Sequence, residues 1–99
     1  MDITGPLCRA ARVLVQWPRE RLAEICGVTK KMIRDFETAG VDPGPELKAK
    51  IKQTLELGGA VFIPEDDMGA GVRLRHTRKD VRALQRLESE GGPVGEDDV

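Results

Sequence analysis

The side chains best suited to recognising a partner form one short cluster of three cations, a carboxylate and a thioether: Lys30, Lys31, Met32, Arg34 and Asp35. Lys31 and Arg34 carry donors of the kind that bind guanine O6 and N7 in a DNA major groove. Met32 can contact a thymine methyl group. Asp35 can accept from cytosine N4, although an i,i+4 ion pair with Lys31 is the simpler interpretation. The alternative for the whole cluster is a solvated basic helix face.

Residue types that perform catalysis are sparse and scattered. The single histidine, His76, has no cysteine or carboxylate at metal-ligand spacing, and the only serine, Ser89, lies in a glycine-rich acidic stretch. Asp66 and Asp67 are adjacent carboxylates, but they fall in a turn-rich loop where solvated acids are common. No glycine-rich phosphate loop is present. We therefore expect no enzymatic activity, no metal and no cofactor.

Charge is unevenly distributed along the 99 residues. Residues 1–57 hold ten basic and eight acidic side chains, and residues 58–87 hold six and four, so each segment carries +2. Residues 88–99 hold five acidic side chains and no basic one, which gives −5 there and −1 for the chain. A mildly basic body permits nucleic-acid binding but does not by itself predict it.

The cysteines and the first residues indicate the compartment. Cys8 and Cys26 lie within apolar helical patterns, and a short secreted chain would need more cysteines for a disulfide framework. We expect both to be buried, reduced thiols. No signal peptide is expected, because Pro6 and Arg9 interrupt the start, and no apolar stretch approaches a membrane span. The sequence predicts a cytoplasmic protein without membrane contact.

Two short helices joined by a tight turn are predicted around the cationic cluster. The first has Pro18 at its first position, where a missing N–H costs nothing. Its inward face is expected to consist of three residues, Leu22, Ala23 and Ile25. Gly27 can take the left-handed conformation that ends a helix, and the Thr29 hydroxyl can cap the next one. In that second helix Ile33 and Phe36 lie on one face and the cations on the other.

Two further helices complete the predicted bundle. One spans about residues 6–15, with its arginines facing outward and a buried stripe of Leu7, Cys8, Ala11, Leu14 and Val15. Trp17 is expected to pack between this helix and the next one. The fourth helix begins at Pro45 and ends at Gly58, and its apolar stripe consists of Leu47, Ile51 and Leu55.

Apolar and polar residues alternate after the fourth helix. Residues 60–63 and 71–75 predict a β-hairpin, and Thr77 with Asp80 predicts the capping box of a last short helix. Because an isolated hairpin is marginal in water, it should pack on the bundle or pair with a second copy. The candidate dimer residues are the apolar ones of these elements: Val61, Ile63, Val72, Leu74, Val81, Leu84 and Leu87. Residues 88–99 are expected to be disordered.

The central helices resemble those of a family of regulators. Eight positions follow the pattern L-A-x-x-x-G-V-[ST]-x-x-x-I-x-x-[FL]-E without an insertion: Leu22, Ala23, Gly27, Val28, Thr29, Ile33, Phe36 and Glu37. This pattern is similar to the helix-turn-helix of Cro/C1-type (XRE family) bacterial and phage transcriptional regulators. Flanking similarity runs from about Cys8 to Leu57, and G-G-A-V-F-I…G-V-R-L-R resembles a tail found in a short subgroup of them. The resemblance implies that the helix after Thr29 is the recognition helix.

The implied fold is mainly α: a four-to-five-helix Cro/C1-type helix-turn-helix bundle with a C-terminal β-hairpin and a short final helix. Residues 1–59 would form the helix-turn-helix DNA-binding domain. Residues 60–87, the hairpin plus helix, would form a dimerisation extension, and residues 88–99 an acidic tail.

Contacts to DNA phosphates are expected near helix N-termini, where backbone N–H groups and the dipole favour anions. The candidates are Arg19, Thr29 and Lys48, with Arg12 added if it lies at the DNA edge. Family members usually have Ser or Thr at position 18 and Gln at position 19, where this chain has Pro and Arg. Arg12 and Glu37 match positions at which relatives carry a salt bridge that orients the recognition helix. A surface pair there would contribute less than about 1 kcal/mol.

The sequence thus predicts a sequence-specific DNA-binding transcriptional regulator, a repressor that acts as a homodimer on double-stranded DNA. Its operator would have two half-sites about 34 Å apart. Two alternatives stay open. The chain can be an antitoxin that represses its own promoter while its C-terminal region covers a toxin. It can also be a protein-interaction module without DNA binding, and an activator that contacts RNA polymerase would combine both roles.

Overall fold

In a computed structural model, which describes residues 2–77, the chain forms four helices followed by an antiparallel two-stranded hairpin. The elements are α1 (Gly5–Leu14), α2 (Arg19–Cys26), α3 (Lys30–Ala39), α4 (Pro45–Leu57), β1 (Ala60–Ile63) and β2 (Gly71–Leu74). The predicted mainly α class with a hairpin is confirmed. The predicted last helix, with Val81, Leu84 and Leu87, and the acidic tail lie outside the described residues. Across residues 2–77, no helix has the length and apolar character needed to cross a bilayer.

The turn between α2 and α3 is built from two local signals. Gly27 ends α2 with φ of 74°, a left-handed conformation that glycine adopts without steric cost. Thr29 then caps α3, because its Oγ1 accepts a hydrogen bond from the Met32 N–H at 3.1 Å. Pro18 is the residue before α2 rather than its first residue, so the prediction was off by one position. Since Pro18 has no side-chain acceptor, α2 begins without a side-chain cap.

Every element of the described region except β2 contributes a fully buried side chain to one apolar core. Its members are Ile3, Cys8, Ala11, Leu22, Ala23, Cys26, Ile33, Phe36, Ile51, Leu55, Ala60 and Phe62. The two thiols are free and buried, as the sequence predicts. Val72 of β2 packs against this core from its edge.

The apolar stripes of α1 and α2 are narrower than predicted. Leu14 is 37% exposed and Ile25 is 48% exposed, so neither belongs to the core. In α2 the inward positions are Leu22, Ala23 and Cys26, an i, i+1, i+4 set that leaves Ile25 on the flank of the helix. Cys26 therefore takes the place that the sequence analysis gave to Ile25.

Trp17 connects the α1–α2 loop to the end of α4. Its half-buried ring packs on the core, and a Cβ added to Gly58 would lie 2.8 Å from Trp17 Cζ2. The guanidinium of Arg21 lies 5.0 Å from the ring centroid. Trp17 is a packing residue, as predicted, but its contact reaches the end of α4 as well as the first two helices.

The hairpin packs on the bundle through one of its faces. Ala60 pairs with Leu74 and Phe62 with Val72, and this face is directed toward the core. Val61 and Ile63 lie on the opposite face, as required by the strand period of two residues. The four dimer candidates in the strands are therefore divided between two faces. The backbone N–H of Arg75 donates to Gly59 O at 2.7 Å, just before β1, and Arg75 Nη2 donates to Glu56 O of α4 at 2.7 Å, which joins the end of the hairpin to α4.

Candidate nucleic-acid interface

One side of α3, the candidate recognition helix, is buried. Ile33 is fully buried, and Phe36 and Glu37 are each 6% exposed. Helix α1 approaches α3 closely at Gly5, where an added Cβ would overlap the carbonyl oxygen of Phe36. Only glycine permits this approach, so the distance between the two helices at this end of α1 depends on Gly5.

Glu37 accepts hydrogen bonds from side chains of two other helices. Arg12 of α1 donates from Nε to Glu37 Oε2 at 2.8 Å and from Nη2 to Oε1 at 2.9 Å. Arg19 of α2 donates from Nε to Oε1 at 3.0 Å. The Cys8 thiol lies 3.4 Å from Oε2 and donates to it. These four residues, which we call the Glu37 cluster, join the first three helices through one carboxylate.

The Glu37 cluster keeps its charges although it is buried. The Glu37 side chain has no exposed surface, and burial raises the pKa of its carboxyl. The hydrogen bonds from Arg12 and Arg19 outweigh that effect, so the pKa of Glu37 is lower than its usual value. Burial, followed by the charge of Glu37, raises the pKa of the Cys8 thiol far above its usual value. The thiol therefore stays protonated and is a hydrogen-bond donor, not a nucleophile.

The environment of Arg12 differs from the one predicted from the sequence. We expected it to face outward, but its side chain is only 11% exposed. The predicted ion pair with Glu37 is present, and it is a buried pair rather than a surface pair. The remaining Nη1 group donates to Trp17 O at 3.0 Å, so all three guanidinium nitrogens have protein acceptors. In this arrangement all three nitrogens of Arg12 bind within the protein, and the contact of Arg12 with a phosphate stays a prediction.

The candidate base-reading residues all lie on the outward side of α3. The side chains of Lys30, Lys31 and Arg34, which we call the cationic face, are 56%, 72% and 51% exposed. Met32 lies beside them and is 42% exposed. The structure therefore brings together the cluster that the sequence analysis singled out.

Each cation of this face has an acidic neighbour. Lys30 Nζ donates to Glu20 Oε2 of α2 at 2.9 Å, and Lys31 Nζ donates to Asp35 Oδ2 at 2.8 Å. Arg34 Nε lies 3.5 Å from Asp35 Oδ1. The Lys31–Asp35 pair was expected from the i,i+4 spacing. Sequence reasoning missed Glu20, because ten residues and a turn separate it from Lys30 and no helical spacing links them.

The candidate phosphate-binding residues already have partners within the chain. Arg19 is 24% exposed and bonded to Glu37. Lys48 is 14% exposed and donates to Asp42 Oδ2 at 3.0 Å. Thr29 uses its hydroxyl oxygen as the cap of α3. The Nη groups of Arg19 make no hydrogen bond within residues 2–77, so Arg19 is the member of this set that is best placed to bind an anion.

No protein-family model and no curated protein matches this chain. Within residues 2–77 there is also no group of three or more metal-ligating side chains. The functional interpretation therefore depends on the helix-turn-helix pattern and on the geometry of α3.

Proposed function

We propose that this chain is a sequence-specific DNA-binding transcriptional regulator of the Cro/C1 type, in which α2 and α3 form the helix-turn-helix. The observation that carries the proposal is the division of α3 into two opposite faces. One face buries Ile33, Phe36 and Glu37, and the other presents the cationic face with Met32. A helix fixed from behind with exposed donors in front has the form needed to read a major groove.

The N-terminal half of α3 would read the base edges. Lys31 and Arg34 are one turn apart and both are more than half exposed, so they can reach guanine O6 and N7 in neighbouring base pairs. Met32 can contact a thymine methyl group beside them. Arg19, at the start of α2, would contact a backbone phosphate through its Nη groups.

The Glu37 cluster supports this proposal because base reading requires a recognition helix with a fixed position. A shift of about 1 Å would move several hydrogen bonds out of their narrow distance range. Arg12 and Arg19 hold Glu37 from two different helices, at distances between 2.8 and 3.0 Å. These contacts orient α3 relative to α1 and α2.

We further propose that the regulator is a homodimer and a repressor. One domain contacts few base pairs, so useful specificity needs two half-sites related by two-fold symmetry. Val61 and Ile63, on the hairpin face turned away from the core, and residues 81–87 are the candidates for the dimer contact. Repression needs only occupancy of the operator, which a chain of this size can provide.

The test is selection of duplexes from a random-sequence pool by the full chain, followed by binding titrations with the selected duplex. Lys31→Ala and Arg34→Ala should each weaken specific binding by about 1–3 kcal/mol. Lys52→Ala is the matched control, because Lys52 is a cation of α4 that, like Lys31, donates to an acid four residues on, and it lies over the Phe62 ring instead of on α3. Arg19→Ala should weaken binding to all sequences alike, and its stability must be measured in parallel because it also contacts Glu37.

Two outcomes would contradict the proposal. If the wild-type chain enriched no sequence, specific DNA binding would be wrong. If Lys31→Ala and Arg34→Ala behaved like Lys52→Ala on an enriched duplex, the surface assigned to DNA would be wrong. Capture of a toxin-like protein by a chain that enriches no DNA would favour the protein-interaction alternative.

A further inference from the structure

Asp35 lies at the centre of the cationic face and contacts two of its three cations. Its Oδ2 accepts from Lys31 at 2.8 Å, and its Oδ1 lies 3.5 Å from Arg34 Nε. Its side chain is 25% exposed, half or less of the value for either cation. The carboxylate is therefore the less exposed partner in both ion pairs.

From this placement we propose that Asp35 is a positioning residue that makes the cationic face select guanine edges over phosphates. The inference depends on the proposed DNA-binding function and deepens it. Asp35 is then neither an ordinary surface ion-pair partner nor a residue that reads cytosine.

Asp35 leaves donors of both cations available for a base. An ammonium has three N–H donors, so Lys31 can keep its bond to Asp35 and still donate to a base. Arg34 Nε lies 3.5 Å from Asp35 Oδ1, an ion-pair distance, and the two Nη groups of Arg34 make no hydrogen bond within residues 2–77. Both Nη groups are therefore available as a fork of donors, the geometry that binds guanine O6 and N7 together. Attraction between the carboxylate and the guanidinium favours one orientation of the side chain, which reduces the entropy lost on binding.

Asp35 also lowers the positive charge that an approaching anion meets. The cationic face has three positive charges and two carboxylate neighbours, Glu20 and Asp35, which leaves a local charge of +1. A hydrogen bond from Lys31 lowers the pKa of Asp35, so the carboxylate remains ionised at neutral pH. A phosphate that approaches Lys31 or Arg34 meets this negative charge, whereas the guanine acceptors are uncharged. Asp35 should thus reduce phosphate binding more than base binding.

The experiment compares Asp35→Asn with Glu24→Gln in the full chain. Both substitutions remove one negative charge and nearly preserve side-chain shape. Glu24 lies on the neighbouring helix α2, is exposed, and has no side-chain partner among the described residues. Affinities for the selected duplex and for a shuffled duplex are measured at one salt concentration, and thermal unfolding shows whether each variant is folded.

We expect Asp35→Asn to bind the shuffled duplex more tightly and to lose discrimination roughly tenfold, within the range of one bidentate base contact. Duplex selection with this variant should lose guanine preference at the positions read by Lys31 and Arg34. Glu24→Gln should tighten binding to both duplexes by the same factor and leave the ratio unchanged.

Equal discrimination by the wild type, Asp35→Asn and Glu24→Gln would overturn the role of Asp35 while leaving the proposed function intact. Loss of preference for cytosine instead of guanine would overturn it too, since Asp35 would then be a direct reader. A wild-type chain that selects no sequence would overturn the proposed function and this inference together.

Discussion

The guanidinium of Arg12 donates two hydrogen bonds to the carboxylate of Glu37, at 2.8 and 2.9 Å, between α1 and α3. The pair is nearly closed to solvent, because the two side chains are 11% and 0% exposed. Buried pairs of this geometry depend on both partners, since removal of one leaves the other charge without compensation. The stability of the chain should therefore be sensitive to this one contact.

Glu37→Gln should lower the free energy of unfolding by about 3 kcal/mol, because Arg12 would remain as a buried cation without a counter-charge. Urea titration at neutral pH measures the change. Glu24→Gln is the control, as it removes the same charge from an exposed site and should shift the free energy by less than about 0.5 kcal/mol. Equal effects of the two substitutions would show that the Glu37 cluster adds no stability.

The Glu37 cluster also predicts a pH dependence. The pKa of Glu37 is lower in the folded chain than its usual value of 4.5, owing to the arginine hydrogen bonds that outweigh burial. The folded state therefore binds fewer protons at this site, so the pair stabilises the fold above pH 4.5. This stabilisation is lost as the pH falls through the lower pKa of the folded chain.

Unfolding titrations between neutral and acidic pH should show this loss. In Glu37→Gln the decline of stability with falling pH should be shallower than in the wild type, because the titrating group is absent. Other acidic residues with lowered pKa values, such as Asp42, contribute equally to both proteins and cancel in the comparison. Parallel pH profiles would contradict the assigned ionisation of Glu37.

Gly5→Ala should destabilise the fold by about 3 kcal/mol, since overpacking a close contact forces the backbone to shift. The added Cβ would overlap the Phe36 carbonyl oxygen and push α1 away from α3. Gly69→Ala is a matched control, because a Cβ at Gly69 meets nothing within 4 Å. Thermal unfolding of the two variants gives the comparison. Equal melting temperatures would mean that α1 can move away from α3 without a loss of stability.

Thr29→Ala should cost about 1 kcal/mol, the usual effect of losing an N-cap. The lost contact is the 3.1 Å hydrogen bond from the Met32 N–H to Thr29 Oγ1. Thr29→Ser keeps the hydroxyl and should retain most of the stability. If alanine and serine were equivalent in chemical denaturation, the start of α3 would be held by packing alone.

The parts of the fold that depend on local chemistry were predictable from the sequence. Gly27 and Thr29 set the turn between α2 and α3 through their own backbone and side-chain preferences. The spacing of Ile33 and Phe36 identified the buried side of α3, and hence its exposed side. The strands were placed within one residue, because alternation of apolar residues has a period that no helix shares.

Contacts between distant residues were harder to predict. The Glu20–Lys30 pair and the contact of Arg19 with Glu37 join different helices, and no spacing rule within one helix predicts them. Ile25 lies at the surface, and Cys26 occupies its expected place in the core. Arg12 was expected to face solvent, because its position in α1 is consistent with a buried or an exposed side chain. The position of Glu37 decides between the two.

The residues of α3 that pack against the protein are distinct from those that face solvent, which has a consequence for protein engineering. The residues that seat the helix are Ile33, Phe36 and Glu37, and none of them belongs to the exposed set formed by Lys30, Lys31 and Arg34. The exposed set can therefore be exchanged without altering the buried contacts of α3, and variant libraries at those three positions should retain the fold.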